Sequence, residues 1–136
     1  MPWMPPPLSA LVLLTTLHLS SRAFAAGKST AEISAKTLKE NKVELTFVTK
    51  AADGLVINHD GPWKLTVSDS GSIKLDKSEF KKEDWNEKNA SFTAVGVTGA
   101  KKNSDIKYKM ITFVCTKDKS QCFREVLDGQ SSVTWK

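Results

Sequence analysis

Apolar and polar side chains begin to alternate at Val43. Val43, Leu45 and Phe47 are interleaved with Glu44, Thr46 and Val48, the period of a half-buried strand. The same period returns where Trp63, Leu65 and Val67 alternate with Lys64, Thr66 and Ser68. Leu55–Asn58 and Ile73–Leu75 are short apolar runs. Between these stretches stand Ala52-Asp53-Gly54, His59-Asp60-Gly61-Pro62 and Asp69-Ser70-Gly71-Ser72. Each reads as a turn, because Gly permits unusual dihedrals and Pro cannot continue a strand. Phe92, Val95 and Val97 predict a further strand, with a parity break near Ala94 of the kind a bulge makes.

Gly99–Asp105 reads as a polar loop. Lys107–Cys115 and Cys122–Leu127 read as two strands around the polar turn Thr116–Gln121. Asp128-Gly129 is then a second turn, and Ser132–Trp135 a closing strand. The charged segment 76–90 predicts a surface loop pinned by Phe80 and Trp85, or a short helix. Residues 26–42 are polar and Lys/Ser-rich, and are compatible with a leader, a first strand or a short helix.

Seven or eight short strands with regularly spaced turns predict an all-β protein. The expected fold is an immunoglobulin-like antiparallel β-sandwich, with a small β-barrel as the alternative. The alternating positions nominate Val43, Leu45, Phe47, Val56, Trp63, Leu65, Val67, Phe92, Val95, Ile111, Phe113 and Val126 as core. The sandwich domain is expected over residues 43–136.

The amino-terminal end has a different character. The apolar run Leu8–Leu19 is followed by Ser20, Ser21 and then Ala23-Phe24-Ala25, an A-x-A step. This predicts a secretory signal over residues 1–25. The run is shorter than a membrane span needs, contains His18 and ends in small polar residues. The segment before it, Met1–Pro7, has no Lys or Arg, which is atypical of a signal. The expected location is outside the cytoplasm, periplasmic or secreted, with no transmembrane span in the mature form.

Composition narrows the chemistry. The 136 residues carry 20 basic and 15 acidic side chains, a formal charge of +5. Removing residues 1–25 takes Arg22 and His18 with them, leaving 111 residues, a charge of +4 and His59 as the remaining histidine. One histidine with no nucleophile motif argues against Ser-His-Asp chemistry. No dinucleotide, P-loop, HExxH or EF-hand pattern is present, so neither a cofactor nor a metal is expected. The modest charge and the lack of a recognition motif with stacking aromatics argue against nucleic acid. Asn89-Ala90-Ser91 matches a glycosylation sequon, which has meaning in a host that glycosylates.

Two cysteines remain, Cys115 and Cys122, separated by six residues and ending two facing strands. Directly opposed residues of antiparallel strands come within disulfide reach. In an exported protein the expected state is an intramolecular disulfide. Closing so short a loop stabilises by about 2.5 kcal/mol, and less where hairpin pairing already closes it. Residues 101–119 hold Lys101, Lys102, Lys107, Lys109, Lys117 and Lys119 against Asp105 and Asp118, while the rest of the mature chain is balanced at 13 basic and 13 acidic residues. The whole excess charge thus lies in the hairpin arm and turn that carry Cys115. Ammonium groups near a cysteine favour its thiolate and steer acidic partners. Lysines also protect edge strands from aggregation, which is the purely structural explanation.

Two patches, LVINHDGPWKL (55–65) and ITFVCTKDKSQCFRE (111–125), resemble the amino-terminal periplasmic domain of the thiol:disulfide interchange protein DsbD and its stand-alone relatives. The resemblance implies an immunoglobulin-like sandwich whose late Phe-x-Cys…Cys hairpin carries a redox pair. It implies a relay in which that pair takes electrons from a membrane reductase and passes them to periplasmic thiol–disulfide oxidoreductases. Only Cys115 and Cys122 carry over. The six-residue spacing is longer than the family's usual one, and Phe123-Arg124-Glu125 stands where the family often has Pro.

Two functions follow. One is an exported thiol–disulfide exchange module with Cys115 and Cys122 as the reacting pair. The other is a non-catalytic immunoglobulin-like binding or accessory domain with a structural disulfide. A protein partner is expected for either. The residues nominated for binding are Lys107, Lys109, Lys117, Lys119, His59 and Trp85. Trp63 is expected in the core because it alternates with Leu65 and Val67, and Trp85 at the surface because its neighbours are charged.

Overall fold

A computed structural model describes residues 21–24 and 27–136. The strands are β1 (Ser21–Phe24), β2 (Ser29–Lys39), β3 (Lys42–Ala51), β4 (Leu55–Ile57), β5 (Lys64–Asp69), β6 (Ile73–Leu75), β7 (Glu79–Phe80), β8 (Ser91–Thr98), β9 (Asn103–Thr116) and β10 (Cys122–Thr134). One sheet has the order β1-β10-β9-β5-β7, with β4 also paired to β9, and the other the order β2-β3-β8-β6. Every pairing is antiparallel. The orders β2-β3-β8-β6 and β10-β9-β5 reproduce the A-B-E-D and G-F-C sheets of a constant-type immunoglobulin sandwich. Among the described residues no helix is long and apolar enough to cross a membrane.

The segment for which the sequence allows three states is strand β2, whose Ser29, Ala31 and Ile33 alternate inward. The secretory signal expected over 1–25 falls mostly outside the described residues, namely 1–20 and Ala25. Ser21–Phe24 form an edge strand, paired to Asp128–Ser131 of β10.

The core lies between the sheets. Val43, Leu45, Phe47, Trp63, Leu65, Val67 and Phe92 are buried as the alternation predicts. Phe47 stands opposite Phe92 on β8 and meets Tyr108 of the other sheet edge-on, with ring centroids 5.4 Å apart. Segment 76–90 holds the two-residue strand β7, paired to β5, and one 3₁₀ turn at Lys82–Asp84, and both its aromatics, Phe80 and Trp85, are buried. The backbone N–H of Lys81 and then the ammonium of Lys77 hold the carboxyl of Asp84 below the usual carboxylate range.

Three expectations are corrected. β8 has no bulge: it pairs with β3 in unbroken register, Phe92 and Ala94 face inward, and Val95 and Val97 face away. Asp128-Gly129 is not a turn. It lies inside the single long strand β10, where Gly129 opposes Tyr108. The tyrosine ring covers the glycine so closely that a β-carbon would fall 2.2 Å from it. Finally, Ile111, Phe113 and Val126 stand on the outer face of their sheet, and Val126 is 39% exposed. The inward residues there are Ile106, Tyr108, Met110, Thr112 and Val114 of β9, with Glu125 and Leu127 of β10.

Candidate functional site: the solvent face of the β9–β10 hairpin

Pairing of β9 with β10 sets Cys122 directly opposite Cys115. The two form a disulfide with Cα atoms 4.0 Å apart. Side chains alternate along a strand, so Cys115 shares its face with Phe113, Ile111, Lys109 and Lys107. Opposite them on β10 stand Cys122, Arg124, Val126, Asp128 and Gln130. The cystine therefore sits on the outer face of the sheet and does not tie the sheets together. Its halves are unequal: Cys115 is 2% exposed, with Val56 of β4 paired on its other side, whereas Cys122 is exposed.

The hairpin tip is closed by its own polar groups. The Thr116 N–H donates to the Gln121 carbonyl (2.9 Å) and the Lys119 N–H to the Thr116 carbonyl (2.8 Å). Asp118 Oδ1 accepts from the Thr116 hydroxyl (2.7 Å), the Ser120 N–H (2.9 Å) and the Ser120 hydroxyl (2.8 Å). These bonds, the Thr116 hydroxyl foremost, lower the carboxyl pKa of Asp118 to about 2. Lys119 adopts the left-handed conformation at φ 61° to close the turn.

Beside the cystine, the chain between β4 and β5 crosses over Phe113. The Asn58 N–H donates to the Phe113 carbonyl (2.8 Å). Gly61 lies against the Phe113 ring, where a β-carbon would fall 2.3 Å from a ring carbon. Glycine is thus needed here for close approach, not for a special dihedral. Behind this cover Trp63 stacks on Trp85 at 3.8 Å, and the indole N–H of Trp63 donates to the Asn58 carbonyl (2.8 Å). Trp85 is 7% exposed, which corrects its expected place at the surface. Its indole N–H donates to Nδ1 of half-buried His59 (3.0 Å), whose carbonyl accepts from the Lys82 ammonium. Charged neighbours mislead here because Trp85 turns inward onto Phe92, ring centroids 5.1 Å apart, while the chain around it stays wet.

The nominated lysines divide into two groups. Lys117 and Lys119 stand in the tip next to the cystine. Lys109 and Lys107 lie on the same face, but six residues or more from Cys115, about 20 Å for Lys109 at strand rise. Lys109 there opposes Asp128. A cation nearer the cystine is Arg124, two residues from Cys122 on the same face and opposite Phe113. It was legible: Lys107 and Lys109 mark the odd positions of β9 as outward, and that parity carries Ile111, Phe113 and Cys115, with their β10 partners, to the solvent side.

On the inner face Glu125 is buried, and among the described residues it takes part in no ion pair. Its Oε1 accepts from the Ser29 hydroxyl (2.7 Å) and its Oε2 from the Lys28 N–H (3.3 Å). Ser29 Oγ also meets Thr112 Oγ1 at 2.8 Å. This cluster clasps β2 of one sheet to β9 and β10 of the other. Among the described residues there is no group of three or more metal-ligating side chains.

Fold and site together define an immunoglobulin-topology β-sandwich with a solvent-facing cross-strand cystine. Compared with protein-family models, curated proteins and solved structures, the chain finds no match in any of the three.

Proposed function

We propose that the chain is an exported thiol–disulfide exchange domain, reacting through Cys115 and Cys122 with periplasmic or secreted partners. The observation that carries this reading is the asymmetric, outward cystine: one sulfur-bearing residue exposed, the other buried beside β4. A bridge across one already paired hairpin adds little to stability, so its outward position is better explained by access. The resemblance of segments 55–65 and 111–125 to the DsbD amino-terminal domain points the same way, with a membrane reductase and thiol–disulfide oxidoreductases as the partner classes.

The chemistry is an exchange of two electrons. A partner thiolate attacks Cys122 Sγ; a mixed disulfide forms there and Cys115 leaves as a thiolate. A second thiolate of the partner then attacks its own sulfur in the mixed disulfide. The domain is released as a dithiol after proton uptake, and the partner is oxidised to a disulfide. In reverse, the Cys122 thiolate attacks a partner disulfide and Cys115 resolves the adduct, which regenerates the Cys115–Cys122 bond.

Single-serine variants test the roles. Cys115→Ser leaves Cys122 exposed, and its thiolate is expected to attack oxidised glutathione, forming a trapped mixed disulfide and releasing one reduced glutathione. Cys122→Ser leaves the buried thiol, which is expected to trap at least tenfold more slowly. Equal trapping would overturn the assigned roles. A reduction potential well below about −300 mV, the range of structural bridges, would overturn exchange and favour the accessory domain.

A further inference from the structure

We infer that the cystine end of the outer β9–β10 face is a docking surface for an acidic, cysteine-bearing segment of the exchange partner. The inference rests on the exchange reading above and deepens it by naming the partner's chemistry. The face has an apolar strip, Ile111 and half-covered Phe113 on β9 and exposed Val126 on β10, leading up to Cys122. Around its upper end stand Arg124, Lys117 and Lys119.

The cations at this end are not taken up by ion pairs. Among the described residues the ion pairs are Lys36–Glu44, Lys50–Glu32 and Lys77–Asp84, so none of the three cations above takes part in one. The carboxylates at this end are Asp53, in the turn before β4, Asp60, in the turn that crosses Phe113, and Asp118. Asp118 points its Oδ1 into the turn, where three donors engage it. Glu125 faces the interior. Among the described residues Arg124, Lys117 and Lys119 thus stay outside ion pairs, and they flank the bond to be broken. Carboxylates flanking an incoming cysteine would be drawn to this end, its apolar neighbours would cover Val126 and Ile111, and the thiolate would arrive at Cys122 Sγ.

Two hexapeptides with one central cysteine, flanked by Glu in one and by Lys in the other, test this on the oxidised domain. Opening of the cystine is followed at low ionic strength, with rates expressed per peptide thiolate. The Glu peptide is expected to react at least tenfold faster than the Lys peptide, with the ratio falling towards one in 1 M salt, where screening is nearly complete. Combined Lys117→Glu, Lys119→Glu and Arg124→Glu substitutions are expected to invert the preference while the rate with uncharged 2-mercaptoethanol stays within twofold. If 2-mercaptoethanol opens the bond but the two peptides react equally, or the Lys peptide leads, the docking surface is wrong and exchange stands. If no thiol opens it, exchange itself fails, and the docking surface with it.

Discussion

The two faces of the β9–β10 hairpin are built from the same residues in alternation, yet they carry opposite burdens. Inward, Ile106, Tyr108, Met110, Thr112 and Val114 meet the other sheet and are closed to water. Outward, Lys107, Lys109, Ile111, Phe113 and Cys115 carry charge, a half-covered ring and half of a disulfide. In many immunoglobulin domains the disulfide joins strands B and F across the core. Here B and F are β3 and β9, and the contact between them is aromatic, Phe47 against Tyr108. The cystine and the buried core thus lie on opposite faces of one strand pair. The core is therefore expected to hold without the cystine, and opening of the cystine to leave the core undisturbed.

The sharpest way to break that comparison is to damage the inner face alone. Phe47→Ala removes a fully buried ring that touches both Phe92 and Tyr108. The expected cost is about 3–5 kcal/mol in denaturant unfolding. Below the melting temperature, the rate at which 2-mercaptoethanol opens the cystine should stay within twofold of the parent rate. A large acceleration would show that the two faces are coupled.

Glu125 is the next test, because it is the polar exception on the inner face. Glu125→Ala takes the acceptor from the Ser29 hydroxyl and leaves a gap between the sheets. The expected loss is about 2 kcal/mol. Ser29 retains Thr112 as a partner, so the loss should stop short of unfolding. Glu125→Gln keeps the acceptor and should recover part of the loss in the same unfolding experiment.

Glu125 also shows where the sequence could and could not be read. The strands around Val43, Trp63 and Phe92 announce themselves because their inward residues are apolar and their outward neighbours polar. On β10 the rule inverts: a carboxylate faces in and a valine faces out, so Val126 reads as core and Glu125 as surface. What satisfies Glu125 is a hydroxyl 96 positions away in the chain, Ser29, which no local pattern reveals. Trp85 is hidden by the same cause, since a loop residue's burial depends on what lies across the sandwich. The cystine pairing, by contrast, was legible from two cysteines ending facing strands. Its outward direction was legible too, from Lys107 and Lys109, once parity was followed through to Cys115.

Removing the bridge tests the outer face. The double variant Cys115→Ser with Cys122→Ser should lose less than about 2.5 kcal/mol, since thirteen directly opposed residue pairs join β9 and β10 besides the sulfur bond. Its backbone amide spectrum should change around residues 113–124 and little elsewhere. Wholesale unfolding of the double variant would return the cystine to a structural role and undo the separation of the faces.

The smallest expected effect belongs to the turn beside the cystine, and its sign is fixed by linkage. The pKa of Asp118 in the folded protein is lowered from its ordinary 3.8 to about 2 by the Thr116 and Ser120 donors. The folded state therefore holds the charged form more firmly than the unfolded chain does. That contribution is fully present above the unfolded pKa and is lost as pH falls through the range between the two values. Asp118→Asn removes it. The variant should melt slightly below the parent at neutral pH, and the gap should narrow as the pH is taken from about 5 to about 2. The same substitution removes a carboxylate from the cationic end of the hairpin, so the Glu-flanked peptide should react with it faster at low salt. A small loss of stability together with a gain in exchange, from one outward residue, would be the opposite of what Phe47→Ala does. A gap that widened towards acid pH would show that the turn's hydrogen bonds do not hold the carboxylate.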